Sequence, residues 1–338
     1  MASTVKTHAI PLLLVLFLSS AVAGGENRTP PECLNSGGSC RDKAEALKLK
    51  LIAIGSILTT SMLGICLPLF SRSVPALRPE RKPFVVVKAF AAGVILATGY
   101  MHVLPDSFQC LNSPCLPETP WRKFPFAAFV TMLSAVATLM VDSFSMSCYR
   151  KRFPQVLDVA ANEEVEEEKS VAKDYSSELI RHRVVAQVLE LGIVVHSVVI
   201  GLSLGASDNR CTIRPLIAAL CFHQLFEGTG LGGCILQAEY GMKMKAIMAF
   251  FFSFTTPFGI ALGIGLSNVY SENSPTALIV VGLLNACSAG LLHYMALVEL
   301  LASDFLGSRL QASVNLQLLS YSAVLLGAGG MSLMAKWA

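Results

Sequence analysis

Charge is what this chain has least of. Of its 338 residues only 14% are Asp, Glu, Lys or Arg, while 53% are hydrophobic; ordinary soluble domains carry about 25% charged residues. With a mean hydropathy of +0.59, a membrane protein is expected. Histidine is scarce as well, six in all, and the net charge is only +3. No basic stripe with interleaved aromatics occurs, so nucleic acid is excluded as a partner. No H-E-x-x-H sequence occurs, which removes the signature of a zinc protease whose glutamate acts as general base. A haem or di-iron enzyme would want more histidines at membrane depth than His196, His223 and His293 provide.

What is present begins with a secretory signal over residues 1–23. Lys6 and His8 precede the apolar run from Ile10 to Leu18, and Ala21-Val22-Ala23 is an A-x-A cleavage site. A short extracellular segment, 24–50, follows. It holds the N-glycosylation acceptor Asn27-Arg28-Thr29 and the pair Cys33 and Cys40. Cys110 and Cys115 form a second close pair, so both pairs are candidates for local disulfides in an oxidising compartment.

Eight apolar stretches of about 20 residues follow. They run Leu51 to Phe70, Phe84 to Leu104, Pro125 to Ser147, Val184 to Ala206, Ile213 to Gln237, Ala246 to Leu266, Thr276 to Val298 and Val314 to Ala335. The expected fold is an all-α membrane protein of eight transmembrane helices. Helices one to three occupy 51–148 and helices four to eight occupy 184–338. Arg72, Arg78, Arg81 and Lys82 in one loop, and Arg150-Lys151-Arg152 with Arg181 and Arg183 in another, place those loops in the cytoplasm by the positive-inside rule. Both termini are then extracytoplasmic. The connection 149–183 carries Glu163, Glu164, Glu166, Glu167 and Glu168 with few apolar residues, and reads as an unstructured acidic cytoplasmic loop.

Ionisable side chains at membrane depth are costly and mark substrate paths, proton relays or counter-ions. Span four contains "HSVVIGLSLG" from His196 and span five "HQLFEG" from His223, and a short outside turn makes the two spans antiparallel neighbours. His196 and His223 each lie ten residues from the outer end of their span, about 15 Å deep and so at the midplane. Glu227 is one turn from His223 on the same face, and Ser197 adjoins His196. Two imidazoles, a carboxylate and a hydroxyl suit zinc, iron(II) or manganese rather than copper(I). A single carboxylate neutralises a divalent ion only in part, which favours release. Histidine pairs can also act as helix-to-helix hydrogen-bonding glue, but matched depth with a carboxylate one turn away argues for a metal site. Gly201 with Gly205, and Gly228 with Gly232, are small-xxx-small pairs that let helix backbones approach.

These stretches resemble the paired signature helices of the ZIP (Zrt- and Irt-like) family of divalent metal transporters. The likeness extends to "GVILATGYMHVLPDSF" from Gly93, "TTPFGIALG" from Thr255 and "NACSAGLLHYMALVELLASDF" from Asn285, and is greatest to the plant members. It implies a bundle in which helices one to three and six to eight form inverted repeats around four and five, with metal moving inward by alternating access. It also implies metal ligation by His196, Ser197, His223 and Glu227, with Gln224 secondary. Some members carry a second carboxylate where Ile200 stands, so a single main site is expected.

His102 and Asp106, at the outer end of span two, are an entry point or an interfacial pair without function; the resemblance favours entry. Glu190, Asp142 and Glu299 lie toward the cytoplasmic ends, as exit residues or as side chains reaching the interface. The histidine-rich loop usual in plant relatives is missing, and His293 stands where many have an aliphatic residue, read as packing in preference to a path role. Zinc is the first choice of substrate, with iron(II), manganese and cadmium behind it. No cofactor is expected beyond the transported ion, and the partners are the metal and the lipid bilayer, with a homodimer left open. The plasma membrane is the expected location. An intramembrane metalloenzyme or a metal-responsive receptor is the rival reading, and metal accumulation by expressing cells discriminates between them.

Overall fold

The computed structural model describes residues 40–70, 81–152, 166–267 and 274–335. Among these it is built from eight long helices: α1 (Lys43–Phe70), α2 (Lys82–Leu111), α3 (Phe126–Arg152), α4 (Glu166–Ala206), α5 (Arg210–Gln237), α6 (Met242–Leu266), α7 (Pro275–Phe305) and α8 (Val314–Ala335). No strand occurs among the described residues, only an isolated bridge between Arg41 and Asn209. Seven of the eight helices are long and apolar enough to cross a membrane. The one that falls short is α5, the expected fifth span. Its 28 residues exceed the roughly 20 needed, but His223, Gln224, Glu227 and four glycines dilute its hydropathy. Its inner half is buried almost continuously from Gly228 to Leu236, so this helix faces protein rather than lipid.

Local chemistry sets the helix starts. Asp42 Oδ1 accepts from the Ala44 and Glu45 N–H groups at 3.0 and 3.2 Å and caps α1. Asn209 caps α5, accepting from the Cys211 N–H at 3.1 Å. Ser274 caps α7 at 3.2 Å from the Ala277 N–H, and Pro275 follows where a missing N–H costs nothing. Two helices outrun the expected spans by way of π turns. α2 does not stop at Leu104: it passes through a π turn, Gly99–Val103, and resumes as α-helix to Leu111 with Pro105 in its new first turn. α7 likewise passes through a π turn at Met295–Ala302 before ending at Phe305.

Two expectations are corrected. The acidic connection is not irregular throughout, since residues from Glu166 onward are helical and run unbroken into the membrane span. Composition ruled out a buried core there but not a helix, for Glu, Lys and Ala are strong helix formers. The cysteines also pair differently. Cys40 is bonded to Cys211, with Cα atoms 5.7 Å apart. The Arg41–Asn209 bridge and the Arg210 N–H bond to the Cys40 carbonyl at 3.1 Å bring the two segments together. Cys110 is a free thiol turned against Gly282 of α7, and Cys115, expected as its partner, is disulfide-bonded elsewhere. Cys33, the Asn27 sequon and the signal segment lie outside the described residues.

The packing is organised by helix pairs. α1 lies most extensively along α5, α4 along α6, α2 along α8 and α3 along α7. Exchanging α1 with α6, α2 with α7, α3 with α8 and α4 with α5 maps this set of pairs onto itself. Glycines form the seams. A Cβ on Gly201 would stand 2.6 Å from the Thr256 carbonyl oxygen, and one on Gly205 2.2 Å from that of Ile260, both on α6. On α5, Gly228 and Gly232 meet the backbone of Ile65 on α1, while Gly64 of α1 meets the Leu225 carbonyl. The glycine pairs of α4 and α5 therefore do not join those helices to each other. In each helix the glycines follow the histidine by five and nine residues, which at 100° per residue puts them about 140° and 180° around from it.

Hydrophobic residues fill the space between helices, with Ile95, Leu189, Ile193, Ile235, Phe252 and Leu292 at the largest buried cluster. Large apolar residues also face outward, including Phe250, Phe254 and Phe258 on α6 and Leu325 and Leu326 on α8. On a soluble surface these would aggregate; against lipid they are the favoured residues.

Candidate metal site

The histidine face of α4 and that of α5 are opposite their glycine seams, so both turn toward the space between these helices. His196, His223 and Glu227 can each offer one ligand atom such that the three lie within 4.8 Å of one another. The two imidazole centroids are 5.8 Å apart. All three side chains are buried, at 1%, 0% and 0% exposure. Both ring nitrogens of each histidine and both carboxylate oxygens of Glu227 lack a hydrogen-bond partner in the protein.

That arrangement is expensive for polar groups left to themselves. A buried donor or acceptor without a partner costs about 1–3 kcal/mol, more when charged, and here three side chains carry six such atoms. A cation takes one nitrogen from each ring together with the carboxylate, and two neutral imidazoles with a carboxylate form a donor set for zinc, iron(II) or manganese. Ser197 Oγ and Gln224 Nε2 are buried beside them and also have no partner.

His102 is placed differently from expectation. Its helix continues to Leu111, so it sits well inside the bundle, and its ring lies 6.5 Å from that of His223. It is buried and its Nε2 has no partner. Asp106, one turn outward, is half-buried. His102 thus lies beside the main cluster, with Asp106 one turn farther out along the helix. The π turn that carries His102 left no mark in apolar periodicity, though such turns are frequent at functional sites.

Toward the other end of α7, Glu299 is buried with Oε2 unpartnered, and the Tyr294 hydroxyl donates to Asp142 Oδ2 at 3.1 Å. Lys88 of α2, also buried, reaches Asp304 Oδ1 at 3.0 Å and Gln237 Oε1 at 3.1 Å. Sequence reasoning missed Lys88 because it read Phe84 to Leu104 as a plain apolar span. It also passed over Ser253, Ser288 and Ser320, whose buried hydroxyls have no partner; one serine in an apolar run carries no signal of its own.

A helical bundle with lipid-type outer faces and a buried cation-type cluster at its centre defines an integral membrane protein that handles divalent metal. The family model described as ZIP Zinc transporter matches residues 47–335, and the chain belongs to the ZIP family of divalent metal transporters. It is 57% identical over 369 residues to Fe(2+) transport protein 2 of Oryza sativa subsp. japonica, covering all of both chains. It is 60% identical over 354 residues to Fe(2+) transport protein 1 of the same organism, covering 98% of this chain and 93% of that one. Zinc transporter 7 of Arabidopsis thaliana is 56% identical over 357 residues, covering 98% of each. These relatives are named as transporters, not enzymes.

Proposed function

We propose that the chain carries zinc, with iron(II) as its second substrate, into the cytoplasm through a site formed by His196, His223 and Glu227, with Ser197 and Gln224 beside it. The observation that carries this reading is the convergence of one ligand atom from each of three buried side chains, on two neighbouring helices, none of which has a hydrogen-bond partner in the protein. The names of the relatives support both metals. Manganese and cadmium enter as competitors of the same charge.

His102 and Asp106 receive the ion and pass it to His223. Eight transmembrane helices with both termini outside fit this path. α5 crosses shielded from lipid by its neighbours, and the Cys40–Cys211 disulfide supports placing the start of α1 and the α4–α5 turn on the oxidising side. The exchange symmetry of the helix pairs supports an inverted repeat and hence alternating access about a fixed midplane site. The secretory signal read over residues 1–23 supports a location at the plasma membrane. The 149–183 connection serves as a solvated cytoplasmic linker. A homodimer is compatible with the outer positions of α3 and α8.

The test is radiolabelled zinc uptake in yeast lacking its own zinc importers, with iron(II), manganese and cadmium as competitors, comparing the chain with His196→Ala at equal surface abundance. Saturable uptake that this change abolishes is the expected result. Undiminished uptake by the variant would remove the site, and absence of uptake by the intact surface-localised chain would sink the inward-transport reading.

A further inference from the structure

We infer that His293 of α7 is a positioning residue that holds the π turn of α2 in the register aiming His102 at His223. The inference rests on the reading of His102 as part of the cation path. A π turn inserts one residue into an α-helix, and each residue turns the helix by about 100°. The azimuth of His102, fourth in the turn Gly99–Val103, therefore depends on where that extra residue is placed. Without the insertion, His102 and Asp106 would point elsewhere relative to the part of α2 that packs on α8.

What fixes the turn comes from outside α2. The imidazole of His293 is pressed against Gly99, where an added Cβ would lie 2.8 Å from its Cδ2 and 3.0 Å from its Nε2. The same ring stacks on Tyr100, centroids 3.6 Å apart and planes 20° from parallel. One side chain thus clamps the first two residues of the turn. His293 is buried, and its Nε2 has no partner. Simple packing would be served as well by leucine, which has no unsatisfied nitrogen to bury. A flat ring is needed to lie between the Gly99 backbone and the Tyr100 face.

The test uses the full chain in the same zinc-uptake assay at equal surface abundance, with His102→Ala, His293→Leu, the double variant and His293→Phe. Losing His102 should raise the zinc KM by about tenfold, the lower end of what disturbing support around a metal site costs, with a much smaller effect on the maximal rate. His293→Leu should raise KM comparably, the double variant should be no worse than His102→Ala alone, and His293→Phe, which keeps a flat stacking ring, should recover most of the loss. A normal KM in His293→Leu overturns the inference, as does a double variant whose effects multiply, since independent action gives additive free energies. Normal kinetics in His102→Ala removes His102 from the path, and the inference with it, while His196→Ala separately reports whether the main site stands. Failure of His293→Leu to reach the surface leaves His293→Phe as the deciding variant: a KM as high as that of His102→Ala would overturn the role of the stacked ring.

Discussion

Gly205 of α4 and Gly263 of α6 are in mutual backbone contact: a Cβ on the first would stand 2.9 Å from the Cα of the second, and one on the second 2.8 Å from the Cα of the first. No flexible side chain is present to yield. Gly205→Ala should therefore destabilise the protein by about 1–3 kcal/mol, the usual penalty for overpacking. Gly265→Ala on the same helix as Gly263, where nothing lies within 4 Å, should leave stability near that of the parent. Thermal unfolding in detergent distinguishes the two, and equal melting temperatures would show that the seam is looser than described.

The Lys88–Asp304 pair joins α2 to the end of α7 with both side chains largely withdrawn from solvent, at 7% and 24% exposure. Lys88→Met leaves Asp304 and Gln237 without their donor, and loss of a charged hydrogen bond should cost about 1.5–3 kcal/mol. Removing the orphaned charge as well, in Lys88→Met with Asp304→Leu, should recover part of that stability, as replacing both members of a buried pair commonly does. A double variant weaker than Lys88→Met would point to some other role for Asp304.

Cys40 and Cys211 are 171 residues apart in sequence, so their bond restricts a large part of the unfolded chain. Cys211→Ser should lower stability by about 2–5 kcal/mol, with reductant producing a similar shift in the parent protein. If reductant shifts the variant as far as the parent, the stabilisation resides in a different cysteine bond, Cys115 being the other described disulfide cysteine.

Glu227 is the only carboxylate among the three clustered candidate ligands. Glu227→Gln keeps its shape and removes its charge, and should cut zinc uptake by on the order of 100-fold at unchanged surface abundance, because loss of a direct ligand should exceed the 10–100-fold cost of disturbing its supports. Zinc uptake within twofold of the parent would take Glu227 out of the binding set.

Much of the candidate site's geometry was legible because its logic is helical. The i, i+4 spacing of His223 and Glu227 and the matched depth of His196 need only the helix rise and the length of the turn, and the distances agree with them. The intervals of five and nine residues from each histidine likewise put the glycines on the far side of each helix, while which helices they meet, α6 and α1, is marked in neither stretch. His102 was misplaced for a different reason. Pro105 reads as the end of a span, but a π turn lets the helix restart with that proline in its first turn, and nothing in an apolar pattern marks the extra residue. The Cys40–Cys211 bond lay beyond reach because closeness in sequence says nothing about which ends of an antiparallel bundle meet.

The glycine seams also bear on movement. An interface lined with side chains has alternative rotamers and can slip from one fit to another; one made of backbone has a single fit, and its partners either stay together or part. α4 with α6, and α1 with α5, should accordingly behave as stiff double beams, leaving rearrangement during a transport cycle to the seams where side chains interdigitate. A cross-link that staples α4 to α6 should then spare zinc uptake, and loss of uptake on stapling would place the moving joint between them.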